Sequence, residues 1–176
     1  MTTAVKANDR LEERFRLWDH NSNGVIERSD FESEFEGILE RFDVDASAPG
    51  AAALRAAYQG LFDRLAQAAG TEEMSKEDFV RAAESEIVSR GDAGFSEVLQ
   101  PTIQAITTII DTDGDGEISP VEMQRWFSAI GLTPEQSDEA FREIDTDGDG
   151  SLTVTELVAA VRDYHLGKND IPLLGV

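Results

Sequence analysis

Six residues, Asp111-Thr-Asp-Gly-Asp-Gly116, recur unchanged 34 positions later as Asp145-Thr-Asp-Gly-Asp-Gly150. A repeat at this interval means a small structural unit that is built more than once and shares its core with its neighbour, because one such unit cannot bury its apolar face alone. A third copy, Asp19-His-Asn-Ser-Asn-Gly24, keeps oxygen-bearing side chains at its first, third and fifth places and glycine at its sixth. The register continues past the hexapeptide. The eighth place holds Ile26, Ile118 or Leu152, the twelfth Asp30, Glu122 or Glu156, and the next residue is Phe31, Met123 or Leu157.

Apolar residues at helical spacing flank every copy. Leu11, Phe15 and Trp18 enter the first, and Phe31, Phe35, Ile38 and Leu39 leave it. Ile103, Ile106 and Ile110 precede the loop at 111, followed by Met123, Trp126, Phe127 and Ile130; Phe141 and Ile144 precede the last loop, followed by Leu157, Val158 and Val161. Each unit therefore reads helix, loop, helix, with the eighth residue in a short strand beneath the loop. Ser119-Pro120-Val121-Glu122 and Thr133-Pro134-Glu135-Gln136 mark helix starts, with a hydroxyl cap, proline at the first helical place and Glu or Gln two further on. Thr153 and Glu156 share the cap spacing without the proline.

Met74 and Phe79 set the register of a fourth unit, whose loop is expected from Gln67 to Asp78. Its third place is Ala69, which offers no oxygen, and its sixth is Glu72 where the turn needs glycine. This unit is expected to fold but not to bind metal. Breaks are expected at Asp43–Ala51, with Pro49-Gly50, and at Val88–Ser96, with Gly91 and Gly94. The second break divides the chain into an N-terminal pair of units, 1–90, and a C-terminal pair, 91–176. The expected fold class is all-α: four helix-loop-helix units in two pairs, compact, with short β-bridges between paired loops.

Alternate oxygens around a glycine-bent turn are what a hard cation requires: Ca²⁺ takes six to eight oxygens at about 2.3–2.6 Å. In one loop Asp111, Asp113 and Asp115 supply carboxylates, Glu117 its carbonyl, Ser119 a bridged water and Glu122 two oxygens. The last loop repeats this with Asp145, Asp147, Asp149, the carbonyl of Ser151, Thr153 and Glu156. Each of these loops holds four ligating carboxylates, which repel one another until a divalent ion sits between them. The first loop brings Asp19, Asn21, Asn23, the carbonyl of Val25, Glu27 and Asp30, with only three carboxylates. Asp30 is a methylene shorter than Glu and is expected to offer one oxygen, with Glu27 binding directly. Such a six-oxygen site also suits Mg²⁺, so three calcium sites are expected, with magnesium competing at the first.

Composition narrows the partners. Thirty-six Asp and Glu against 15 Lys and Arg leave a formal net charge of -21, which repels nucleic-acid phosphates and anionic membrane faces. Without cysteine there are no disulfides, thiolate metal sites or cysteine nucleophiles. The opening Met1-Thr2-Thr3-Ala4-Val5-Lys6 has neither the apolar core of a secretory signal nor the Gly needed for myristoylation, and no run of about 18–20 apolar residues could span a membrane. A cytoplasmic monomer is expected, without nucleic-acid binding or membrane insertion.

The loops resemble those of the EF-hand superfamily, and the whole arrangement is similar to the family of calerythrin and the sarcoplasmic calcium-binding proteins. That likeness rests on metal-competent first, third and fourth units, a silent second, the opening Arg14-Phe15-Arg16-Leu17-Trp18-Asp19 and the ending Val161-Arg162-Asp163-Tyr164-His165-Leu166-Gly167. It implies a compact helical fold of two EF-hand pairs that buffers or transports calcium.

A calcium sensor would instead expose a groove, often rich in methionine, to a target protein. Only Met1, Met74 and Met123 are present. The apolar tail, Ile171, Pro172, Leu173, Leu174 and Val176, is expected to fold back over such a groove. An enzyme is not expected: His20, at an outward loop position, and His165, packed near the last helix, lie in no catalytic pattern. Trp18 and Trp126 are expected in the core, close enough to the loops to report calcium by fluorescence.

Overall fold

The computed structural model describes residues 3–171 and 173, with side chains from residue 6 onward. Pro172, Leu174 and Val176 of the apolar tail, and Met1 and Thr2, lie outside the described residues. The predicted helical periods become helices. α1 (Thr3–Trp18) leads into the first loop and buries Leu11, Phe15 and Trp18, and α2 (Arg28–Phe42) leads out of it and buries Phe31, Phe35, Ile38, Leu39 and Phe42, with Trp18 against Phe31. α3 (Pro49–Ala69) and α4 (Lys76–Glu86) flank the second loop. α6 (Gln100–Ile110) and α7 (Pro120–Ala129) flank the third, and α8 (Pro134–Ile144) and α9 (Val154–His165) the last. The hydroxyls of Ser119, Thr133 and Thr153 accept from the backbone N–H three residues on, so the expected helix starts are in place.

Loops meet in pairs. β1 (Val25–Ile26) runs antiparallel to β2 (Met74–Ser75), with Ile26 opposite Met74. Ile118 and Leu152 exchange two backbone hydrogen bonds of 2.9 Å. All four of these eighth-place residues are almost fully buried, which is why the repeat keeps them apolar.

Two sequence expectations change. The second loop does not begin at Gln67: Gln67, Ala68 and Ala69 continue α3, whose end is capped by Gly70 in the left-handed conformation. Only Gly70–Glu73 separate α3 from β2, so the ring of alternating oxygens has no length in which to form. The alanines extend the helix because nothing at those places competes for the backbone.

Val88–Ser96, the expected break between the two pairs, is folded into helical turns. It forms a 3₁₀ turn (Val88–Arg90), the short α5 (Asp92–Gly94) and a π-helical turn (Phe95–Leu99) that runs into α6. Phe95, Val98 and Leu99 are buried, and a Cβ at Gly94 would collide with the carbonyl of Ile87, so glycine here serves close packing.

The core is continuous across this segment. α3 packs on α6, and Leu61, Tyr58 and Trp18 share an interior wall with Leu99, Ile103 and Trp126. Phe42 at the end of α2 stacks on Trp126 of α7 with ring centres 5.9 Å apart. Both tryptophans are buried, as their spacing predicted.

Candidate metal centres

Each loop is folded by its own acceptors. Asp111 takes the N–H of Gly114 (2.7 Å) on one oxygen and that of Gly116 (3.0 Å) on the other. Asp145 does the same with Gly148 (2.8 Å) and Gly150 (3.0 Å). Asp113 accepts from Asp115 N and Asp115 from Glu117 N; Asp147 accepts from Asp149 N and Asp149 from Ser151 N. These bonds fold the first, third and fifth side chains back onto the loop's own backbone. Oxygens of Asp111, Asp113 and Asp115 lie within 4.8 Å of one another, and so do those of Asp145, Asp147 and Glu156. Hard carboxylate oxygens at that separation fit Ca²⁺.

The twelfth place closes each loop. Glu122 is only 5% exposed; one oxygen accepts from Thr112 N (2.6 Å) and its hydroxyl (2.9 Å), the other from Ser119 N (2.9 Å) and its hydroxyl (2.8 Å). Glu156 makes the matching four bonds with Thr146 and Thr153. Burial pushes the Glu122 carboxyl up, but the N–H groups of Ser119 and Thr112 and their hydroxyls outweigh it and hold the group at about 2. The same balance holds Glu156 below the usual range. Asp113 goes the other way: the Asp115 N–H lowers it, yet desolvation and the charges of Asp115, Glu122 and Asp111 prevail and raise it. Asp147 is raised likewise. The loop interior thus stores negative charge that a divalent ion would relieve.

The first loop follows the same plan with different groups. Asp19 accepts from Asn23 N (3.1 Å) and Gly24 N (2.9 Å), while the Asn21 and Asn23 side-chain oxygens accept from Asn23 N and Val25 N. Asp30, 1% exposed, uses both oxygens: one accepts from His20 N (3.1 Å), the other from Glu27 N (2.9 Å). The shorter carboxylate therefore spans the same second and ninth places as Glu122. Glu27 sits at the rim, accepting from Ser29 Oγ (2.9 Å) and Asn21 Nδ2 (3.4 Å).

At the seventh places, Val25 lies in β1, and Ser151 Oγ donates to Glu117 Oε2 at 2.5 Å, tying the last two loops together. Sequence reasoning missed Thr112 and Thr146, whose hydroxyls hold the closing glutamates; their recurrence inside the identical hexapeptides was the available signal. At the ninth places the hydroxyls of Ser119 and Thr153, the residues that cap the following helices, bond Glu122 and Glu156.

Known proteins share this arrangement. A family profile for an EF-hand domain pair matches residues 100–162. Calerythrin of Saccharopolyspora erythraea is 42% identical over 178 aligned positions, covering 99% of this chain and 100% of calerythrin. This chain belongs to the calerythrin family of EF-hand calcium-binding proteins. A Streptomyces coelicolor calcium-binding protein, whose structure is described as the basis of prokaryotic calcium-mediated regulation, aligns at TM-score 0.75 and 31% identity over 91% of this chain and 98% of that one. Calcium-loaded apo-aequorin from Aequorea victoria reaches TM-score 0.75 at 21% identity, over 92% and 91% of the two chains, a likeness of fold alone.

In this calerythrin-family chain the C-terminal segment lies on the last EF-hand pair. Ile171 and Leu173 are buried, and Leu173 forms part of the wall of an apolar hollow lined also by Ile106, Ile110, Met123, Trp126, Leu157 and Val161. The Trp126 indole N–H donates to the Leu173 carbonyl at 2.8 Å, in the interior. Among the described residues Val121 is the exposed large hydrophobe, and no helix is long and apolar enough to cross a membrane. His20 bonds Glu34 (3.0 Å) at the outer edge of the first loop; His165, 5% exposed, bonds the Val161 carbonyl (2.8 Å).

Proposed function

We propose that this protein buffers calcium in the cytoplasm as a monomer, through three sites: Asp19–Asp30, Asp111–Glu122 and Asp145–Glu156. One observation carries the site count. In all three loops the first-place aspartate accepts from the loop's own N–H groups, and a buried twelfth-place carboxylate links the second and ninth places. In the last two loops a cation would neutralise carboxylates whose oxygens already lie within 4.8 Å of one another; the first loop offers the same backbone plan with fewer charges. Asn21 and Asn23 reduce the charge of the first loop, so it is the weaker and more magnesium-tolerant site. The N-terminal pair, 1–90, then has one active and one silent unit, and the C-terminal pair, 91–176, two active ones.

The buffering role is supported by Leu173, which sits buried in the wall of the apolar hollow and is tied there by Trp126. A protein that signals by exposing that hollow would have to expel Leu173 and break the Trp126 hydrogen bond first. The competing sensor reading is favoured by the same hollow, since its wall carries the residues that directly follow the closing glutamates, Met123 and Leu157.

Calorimetric titration of chelator-stripped protein with millimolar magnesium present, run beside a hydrophobic dye, tests both. Three calcium equivalents with no gain in dye signal is the expected result. Uptake of fewer than two equivalents removes the site assignment. Micromolar binding with a strong dye signal replaces buffer by sensor, and truncation after Gly167 should raise the dye response if the tail is the cover.

A further inference from the structure

The N-terminal half of α1 grips the end of α9 and the residues that follow it. Arg10 reaches across 154 to 160 positions of sequence to donate to the carbonyls of Tyr164 and, at 2.7 Å, Asn169, and it pairs with Asp170 at 2.5 Å. Its guanidinium also lies over the Tyr164 ring, 4.0 Å from the centre. Lys6 donates to the Gly167 carbonyl at 3.4 Å, and a Cβ on Gly167 would run into the Lys6 side chain. Asp170 is 94% exposed, so the ion pair contributes little. The carbonyl bonds are the substance of the grip: they satisfy acceptors at and just past the C-terminus of α9, where a cation is also favoured by the helix dipole.

α1 is one uninterrupted helix, and its other end is the first loop. Asp19 N still bonds the Phe15 carbonyl (2.9 Å), so the first ligand residue extends the same rod. From Lys6 to Trp18 is about 18 Å of helix at 1.5 Å per residue. Beyond the gripped carbonyls the chain turns through Asn169, whose side chain anchors to the Ala160 carbonyl (3.1 Å), and arrives at Leu173 and Trp126.

We propose that Arg10 and Lys6 are positioning residues that couple the first calcium loop to the C-terminal segment, so that calcium at Asp19–Asp30 tightens the seat of Leu173 against Trp126. This rests on the reading that the first loop binds calcium. The rod holds Asp19 in place for the ion, and an ion that holds Asp19 holds the rod against the tail. Linkage makes the effect reciprocal: loosening the grip weakens the first site by the same factor by which the ion strengthens the grip.

The test uses the full chain carrying Trp18→Phe, Glu122→Gln and Glu156→Gln, which leaves Trp126 as the reporter and the first loop as the calcium site. Calcium uptake is measured by calorimetry and Trp126 emission together. One equivalent taken up with a change at Trp126 is expected. Arg10→Ala should weaken that uptake about fivefold or more and abolish the emission change, whereas Arg16→Ala, exposed on the same helix, should alter neither. A silent Trp126 during uptake, or an Arg16→Ala effect equal to that of Arg10→Ala, overturns the coupling. Should Arg10→Ala fail to fold, Lys6→Ala with Asp170→Asn carries the decision: about a twofold loss supports the coupling, and unchanged uptake overturns it. No uptake at all in the parent variant overturns the first-site assignment itself.

Discussion

The first loop and the last two reach one geometry by different chemistry. In all three, a buried carboxylate at the twelfth place accepts from the backbone at the second and ninth places. Glu122 and Glu156 add two hydroxyl bonds each, from Thr112 and Ser119 and from Thr146 and Thr153. Asp30 faces His20 and Glu27, neither of which has a hydroxyl, and it spans the same gap with a shorter side chain. The architecture of a loop is therefore held by its backbone donors. Its charge and the stiffness of its closing residue are adjusted separately, and those are the quantities that tune cation affinity.

Removing the closing charge should separate the two kinds of loop most strongly. Glu122→Gln should weaken calcium at its loop by more than about a hundredfold, since even outer partners of metal ligands cost roughly 10- to 100-fold. Asp30→Asn should cost less, about tenfold, because Glu27 remains. Equal losses in site-resolved titrations would break the comparison. The reverse exchange sharpens it: Asp30→Glu should raise calcium affinity at the first loop by about tenfold and reduce magnesium competition, if length rather than placement limits that site.

Acid should discriminate next. The Glu122 carboxyl sits at about 2, below its usual value, so its contribution to stability is present above about 4.5 and lost as pH falls toward 2. Asp113 and Asp147 are raised, so protons compete there for the metal at a higher pH. The first loop has Asn21 at that place, which does not titrate. As the pH falls into the carboxylate range, calcium affinity should fall further at the last two loops than at the first, by calorimetry at each pH. A steeper fall at the first loop would contradict this.

The smallest expected effect concerns the fourth place. Gly114 and Gly148 have φ of 77° and 73°, and Ser22 stands in the corresponding position at φ 56°. Ser22→Gly should relieve that left-handed strain and change stability by about 1 kcal/mol or less, measured by thermal unfolding in chelator.

Much of this was legible from spacing. The hexapeptide repeat, the apolar eighth places and the Ser119, Thr133 and Thr153 caps are local signals, and each residue's role depends on neighbours within one turn or loop. The second loop was misjudged at its start because Gln67-Ala68-Ala69 carries no stop signal, and α3 continued through it. The helical turns within Val88–Ser96 were not legible because glycine marks a tight approach as readily as an open turn, and which of the two applies depends on Ile87 and the buried Phe95.

Alone, the chain's order of residues determined what the loops are made of, since a ring of alternating oxygens is written within twelve consecutive positions. Tertiary structure decided how far Asp30 reaches, what lines the hollow beside Trp126 and where Arg10 spends its hydrogen bonds. The first depends on how the loop's backbone is bent in space. The other two join positions 47 to 160 residues apart, where no local period records which distant groups will meet when a shared core closes.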